Sequence, residues 1–355
     1  MAFGKQNITM KHVFSVTSHL TFFIAKKTIE KRQLCNDDCI LLLLRDYTIP
    51  PAYNNLYATV STSYNVDAKK GRVFAGANFV KTSNNIKEFD SRIDPLLNNE
   101  DFIWYTSVCS NDICSLMVTK PNCKGFYVTE DGFASYRDFN PQTFIGWRYL
   151  FYRLFLKPLW PRIFSAKNHF ISSDHPKYLG CIATSKICFP LHQNNLITIG
   201  SPFETIDLGF VPDALLSIDP LFLFLSDDKV IDIYSQLSNI IKKKGYNLMA
   251  YKYHPVFLSE ANKEHKEKYN KIIRDSFGND IVELDKSVVL ENVLQTYKCD
   301  FYTDNSSVAI YGSVTGAKCY TYIPILKGYV PSEILKAQYA IPTALIDIYK
   351  PVVEE

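Results

Sequence analysis

Two α/β halves, each built on a parallel sheet, are what this sequence predicts, and three observations carry the prediction. The chain has 355 residues, about two domains of ordinary size. It opens as strand, helix, strand, the order that makes a parallel pair. Its last third then repeats strand and helix several times over.

The elements read in order as follows. His12–Thr17 has the apolar, β-branched character of a strand, the stretch through Thr21–Lys27 is helical, and Asp38–Leu44 is a buried strand. Phe102–Tyr105 and Gly125–Thr129 read as later strands of the same half, the second ending directly in Glu130-Asp131-Gly132. In the last third, Leu221–Leu225 reads as a strand and Asp228–Lys244 as a helix. Strands at Tyr246–Tyr253, Asp280–Leu284, Asp300–Thr303 and Cys319–Tyr322 follow, with helices at Ser259–Phe277, Ser287–Tyr297 and Ser306–Thr315 between them. The join falls near residues 195–215, which gives domains at 1–205 and 206–355.

Composition excludes several classes. With 47% apolar residues, 21% charged residues and a net charge of +3, the chain is neither disordered nor fibrous, and no global charge speaks for nucleic acid. Its purely apolar runs, such as Cys39–Leu44 and Leu221–Leu225, fall far short of the roughly 20 residues of a spanning helix. Met1–Asn7 lacks a signal-peptide apolar region, so a cytoplasmic location is expected. The nine cysteines are scattered without a second ligand pair, which fits reduced, mostly buried thiols better than zinc or disulfides.

Between the halves, Phe139–Ser173 contains no acidic residue. Arg148, Arg153, Lys157, Arg162 and Lys167 alternate there with aromatics including Trp147, Tyr152, Phe155 and Trp160. A stretch of this kind around 147–170 suits peripheral contact with a membrane or an anionic glycolipid. It equally suits a helix whose aromatics pack inward while its cations stay in water.

Three short motifs sit at strand ends, where open parallel sheets bind their ligands. Glu130-Asp131-Gly132 is an ordinary turn signature that can also present one carboxylate to a substrate. Asp131, nearest the glycine, takes that position and leaves Glu130 as scaffold. Tyr253-His254-Pro255 ends a strand, and Pro255 forces the backbone out of the sheet and fixes the imidazole's direction. A second His-Pro, His175-Pro176, sits in a polar stretch and serves as a decoy. Asn305-Ser306-Ser307 opens a helix as a plain N-cap or, with free backbone N–H groups, hydroxyls and the helix dipole, as a seat for one phosphate. Neither a GxGxxG nor a GxxxxGK[ST] loop is present, which disfavours dinucleotide and ATP sites.

Taken together, Glu130-Asp131-Gly132, Lys252-Tyr253-His254-Pro255, Leu290-Glu291 and Ser306-Ser307 resemble the (D/E)(D/E)G, HP and SS motifs of bacterial sialyltransferases, in the same order and over roughly residues 125–320. The lipooligosaccharide and capsule enzymes are the nearest in character. The resemblance implies a GT-B fold, with two Rossmann-like domains facing across a nucleotide-sugar cleft, an acceptor domain first and a CMP-sugar domain second. It implies an inverting, metal-independent transfer of sialic acid from CMP-sialic acid to a hydroxyl of a cell-surface glycan, with no cofactor.

By the same resemblance Asp131 is the general base and His254 the acid or hydrogen-bond donor to the departing phosphate, protonated when the donor binds. Ser306 and Ser307 hold that phosphate. Glu291, with Glu283 as competitor, holds the ribose, and Lys252 and Pro255 complete the donor site. Here the acidic motif begins with Glu where the family pattern favours Asp, and acceptor-site residues are not identifiable. Two alternatives stay open: the same fold using CMP-legionaminic acid, CMP-pseudaminic acid or CMP-Kdo, and a non-catalytic protein that binds anionic glycans or membrane.

Overall fold

The structure is a computed structural model that describes residues 10–44, 47–62, 78–107, 112–136, 154–155, 157–164, 175–278 and 281–353. The chain divides into two compact units, Met1–Pro202 and Phe203–Glu355.

The first unit is organised on a parallel sheet of β1 (Lys11–Val16), β2 (Cys39–Leu43), β3 (Ala58–Ser61), β4 (Phe102–Thr106), β5 (Cys123–Thr129), β6 (Tyr178–Ala183) and β7 (Leu196–Thr198), in the order β3-β2-β1-β4-β5-β6-β7. The βαβ opening is as predicted: β1 and β2 pair in parallel, and helix α1 (His19–Lys31) joins them. Ser18 caps α1 through its hydroxyl, and Thr21 returns a bond to the Ser18 backbone, a capping box that fixes where the helix begins. The helices α2 (Phe79–Leu97) and α3 (Asp112–Val118) follow β3 and β4. β1 and β2 are buried along almost their whole length, as strands covered on both faces must be.

The second unit repeats the plan. Strands β8 (Ala214–Ile218), β9 (Met249–Tyr253), β10 (Ile281–Glu283), β11 (Asp300–Thr303), β12 (Cys319–Thr321) and β13 (Tyr349–Pro351) form a parallel sheet in the order β10-β9-β8-β11-β12-β13. Helices α4 (Asp227–Lys242), α5 (Lys263–Phe277), α6 (Leu290–Tyr297) and α7 (Val308–Thr315) alternate with these strands. Leu216, Ile218, Ile233, Leu237 and Ile273 are among the buried side chains of one core between the sheet and its helices.

One expected element is displaced. Leu221–Leu225 is not a strand: Ala214–Ile218 is, and Leu221–Leu223 forms a single 3-10 turn. Pro220 has no N–H to give to a sheet ladder and stops the strand. The short apolar run beyond it leaves Leu223 54% exposed, which a central strand would not.

Candidate active site

The acidic turn follows β5. Its register with β6 brings Thr129 opposite Ile182, and the Glu130 N–H donates to the Ile182 carbonyl at 3.0 Å. Glu130 is completely buried. Its carboxylate accepts the Thr184 N–H at 2.7 Å, the Thr184 hydroxyl at 2.8 Å and the Tyr136 phenol at 2.7 Å. Asp131 is half-buried, and its N–H donates to Ser135 Oγ at 2.8 Å. Gly132 has φ +55°, the left-handed conformation that turns the chain away and that a side chain would strain.

The second unit carries the other motifs at neighbouring strand ends. His254 directly follows β9, is exposed, and donates its backbone N–H to the Ile218 carbonyl at 2.9 Å. Its Nδ1 accepts the Val256 N–H at 3.2 Å across the turn that Pro255 begins. That bond leaves the proton of a neutral ring on Nε2. Burial of the ring lowers the His254 pKa. A second proton on the ring would have to displace the Val256 N–H from Nδ1, whereas the neutral ring already carries a donor at Nε2.

Lys252 lies two residues back on β9, where Nζ donates to the Val288 carbonyl and, at 3.1 Å, to that of Lys286. It thereby ties the 286–288 loop to the sheet. Burial lowers its pKa, and the Glu291 charge works against that shift. Glu291 stands in the first turn of α6, half-buried, with its carboxyl pKa raised by burial and held back by Lys252. Glu283 is exposed instead, and pairs with Lys266 at 2.8 Å. Glu283, Lys252 and Lys266 line an open cavity of about 400 Å³.

Ser306 and Ser307 lead from β11 into α7. Gly312 lets α7 approach α6 closely, since a Cβ there would lie 2.7 Å from Leu294 Cδ1. Ser306 Oγ accepts the Val308 N–H at 3.4 Å, and the Ser306 and Ser307 carbonyls accept the Ala309 and Ile310 N–H groups at 3.0 Å each. The N–H groups of residues 308–310 are therefore already engaged within the turn. The Ser307 hydroxyl makes no capping bond, so hydroxyls, the Ser307 N–H and the helix dipole are what this turn offers an anion.

His175 occupies the other end of a strand. It precedes β6 and folds back on itself as His254 does, Nδ1 accepting the Lys177 N–H at 3.1 Å, with its ring against Phe126 at 5.4 Å. Most of the 147–170 stretch lies outside the described residues. Within the part that is described, Leu154 and Phe155 are exposed, Trp160 stacks on Phe79 at 5.9 Å, and Arg162 pairs with Asp90 at 2.6 Å. Among the described residues no helix is long and apolar enough to cross a membrane, and no group of three or more His, Cys, Asp and Glu side chains could hold a metal ion.

Sequence reading missed two further residues at these strand ends, Asp219 after β8 and Asp304 after β11, both buried. Their signal was an acidic residue directly ending an apolar strand. It was lost for Asp219 when the strand was placed after Pro220, and masked for Asp304 by the neighbouring serines.

No family model and no curated protein matches the chain. Solved structures do. An alpha/beta-galactoside alpha-2,3-sialyltransferase from Photobacterium phosphoreum is similar with a TM-score of 0.54 and 13% identity, over 97% of this chain and 98% of that one. A glycosyltransferase from Rickettsia africae (TM-score 0.45, 13% identity, 88% and 79% covered) and a UDP-GlcNAc 2-epimerase from Methanocaldococcus jannaschii (0.47, 12%, 96% and 91%) are more remote, and nothing rests on them. With its two parallel-sheeted α/β units, the chain has the GT-B glycosyltransferase fold.

Proposed function

We propose that the protein is an inverting, metal-independent sialyltransferase that moves sialic acid from CMP-sialic acid to a hydroxyl of a cell-surface glycan, of the lipooligosaccharide or capsule kind. One observation carries the reading. Strands β9 and β11, which flank β8 in a single sheet, end in a histidine whose Nδ1 is engaged so that Nε2 carries the proton, and in a serine turn at a helix start.

The chemistry suits those groups. Loss of CMP from the anomeric carbon builds negative charge on the phosphate, and each donor set out beforehand at such a charge is worth about 3–4 kcal/mol. His254 acts as that donor through Nε2–H, with Ser306 and Ser307 beside it. Its neutral state is enough, because the phosphate needs a hydrogen bond before it needs a proton. Glu291 takes the ribose hydroxyls in preference to Glu283, which is committed to Lys266, and Lys252 holds Glu291 and its loop in place. Pro255 sets the turn that aims the ring.

Asp131 takes the proton of the attacking acceptor hydroxyl, and attack opposite the leaving group inverts the centre. The division of the acidic pair is supported by the three donors that occupy Glu130. Peripheral membrane contact through 147–170 belongs to the same proposal, with Leu154 and Phe155 exposed in that stretch.

The test is acceptor-independent release of CMP from a panel of CMP-sialic, CMP-legionaminic and CMP-pseudaminic acids and CMP-Kdo, with and without a chelator. Release from CMP-sialic acid in both conditions is expected. Release from another donor alone would move the reading to that sugar, and release from none would favour a non-catalytic binding protein. Loss of release on chelation would overturn the metal-free mechanism.

A further inference from the structure

Beneath the proposed phosphate seat lies a pair of carboxyl groups that the transfer reaction does not use. Asp219 and Asp304 end the adjacent strands β8 and β11 and are only 5% and 7% exposed. They lie close enough that the Asp304 charge acts with burial to raise Asp219. Two buried acids at adjacent strand ends do not both ionise readily, so the pair keeps a proton.

The surroundings decide which of the two carries it. Asp304 accepts the Asn305 N–H and, at 3.3 Å, the Thr303 hydroxyl, while Asp219 accepts the Tyr322 phenol at 2.6 Å. Asp219 also accepts the Asp304 N–H, and of the two carboxyls it is the one that burial and its neighbour's charge raise most, so the proton is placed on Asp219. Burial and the Asp304 charge hold Asp219 well above the usual carboxylate range, and burial raises Asp304 as well. The titratable groups that feel the pair from the elements around it are phenols: Tyr234 on α4, Tyr269 on α5, Tyr322 after β12, Tyr339, and Tyr349 on β13. Burial raises each of them, so they stay neutral while the pair titrates.

Both sides of the pair connect to the proposed site. Asp304 runs directly into Asn305-Ser306-Ser307, and its carbonyl accepts the Thr321 hydroxyl. The Ile218 carbonyl, one residue before Asp219, accepts the His254 N–H. We propose that Asp219 and Asp304 are positioning residues whose shared proton holds the serine turn and the His254 strand end in register. The functional half of this inference rests on the nucleotide-phosphate reading, and the shared proton does not.

The sign follows from linkage. Carboxyls with raised pKa values in the folded state bind more protons there than in the unfolded chain, so stability falls as pH rises from the ordinary carboxylate range towards the pair's own pKa. Above that pKa two like charges face each other in a buried place and push the strand ends apart.

The experiment compares the full-length wild type with Asp219→Asn and Asp219→Ala, reading thermal unfolding and CMP affinity from about pH 6 to about pH 10, the span that burial can give a carboxyl. Affinities are taken as variant-to-wild-type ratios, so that the ionisation of CMP itself cancels. Wild-type Tm should fall along this limb, and CMP affinity with it, by up to about tenfold per pH unit for one linked proton. Asp219→Ala should weaken CMP binding by about tenfold or more. Asp219→Asn, whose amide donates permanently where the proton did, should restore binding and flatten both curves.

Equal unfolding slopes in wild type and Asp219→Asn would overturn the shared proton. Flattened unfolding with a pH-independent affinity ratio would overturn positioning and leave a purely structural pair. If CMP bound to none of the proteins, the nucleotide reading and the positioning role would both fall, and the unfolding curves would still decide the proton. Should Asp219→Ala fail to fold, the wild type and the Asn variant alone give all of these outcomes.

Discussion

Two buried acidic sites sit at equivalent places, each beyond the carboxyl end of a central parallel strand, and they solve burial in opposite ways. After β5, Glu130 is surrounded by three neutral donors from Thr184 and Tyr136. After β8 and β11, Asp219 and Asp304 are each other's neighbour, and the pair needs a proton to exist. Burying a carboxyl costs free energy unless it is hydrogen-bonded. The first site meets that cost with fixed hydrogen bonds from uncharged donors. The second meets it with a titratable proton. What a buried acid can do thus depends on its donors more than on its depth, and Asp131, half-buried, keeps the more open position of the β5 turn.

The largest effect should come from Asp131. Replacing it by Asn should cut sugar transfer about 10²–10⁴-fold, the usual contribution of a general base, and leave CMP affinity unchanged. Initial rates with isothermal titration of CMP check both parts, and a wild-type rate would remove Asp131 from the mechanism and with it the contrast with Glu130. His254→Ala should follow, with a loss of about 10²–10³-fold for one pre-set donor.

The pH profile separates a hydrogen-bond donor from an acid at His254. Burial lowers the ring below its ordinary 6.5, so the folded state favours the neutral form. The stability it contributes is present above that value and is lost as pH falls through 6.5 towards the lowered pKa. Turnover limited by His254 should therefore hold as pH rises past neutrality. A wild-type rate that falls on the alkaline side, and does so equally in Asp219→Asn, would show that His254 must be protonated.

Glu130→Gln should act on stability instead of chemistry. The amide turns one acceptor into a donor facing Thr184 or Tyr136, at a cost of about 1–3 kcal/mol for a buried group left unsatisfied. A lowered Tm with normal turnover per folded molecule is expected. Normal stability with lost turnover would exchange the roles assigned to Glu130 and Asp131.

How much of this was legible in the sequence depended on how local the cause was. The βαβ opening was readable because the runs Val13–Val16 and Ile40–Leu43 are short, apolar and separated by a capped helix, so each piece declares itself. The strands β3, β6, β7 and β13 were not read, since Ala58–Ser61, Leu196–Thr198 and Tyr349–Pro351 are only three or four residues long and Tyr178–Ala183 is interrupted by Gly180 at φ +140°. Leu221–Leu225 misled because apolar content outweighed Pro220. At the site, motif residues were visible as types, but whether an N–H was free or a carboxyl shared could not be seen. Those are properties of strand ends brought together by the sheet order, and the separation of 85 residues between Asp219 and Asp304 hides them.

The smallest effect should come from His175→Ala, and it probes the comparison of strand ends most directly. His175 shares with His254 the following proline, the Nδ1 bond to the N–H two residues on, and a pKa lowered by burial. The two differ in which end of a strand they occupy: His254 follows β9, and His175 precedes β6. If function follows from the local turn, the two alanine variants should lose turnover alike. If it follows from the carboxyl end of a parallel sheet, where helix starts converge, His175→Ala should keep full turnover. Its cost should then be confined to stability, at about 1 kcal/mol for the lost turn bond, together with the edge contact to Phe126. Turnover and Tm measured side by side on the two variants decide between these outcomes, and a His175→Ala loss equal to that of His254→Ala would move the proposed donor site out of the second unit.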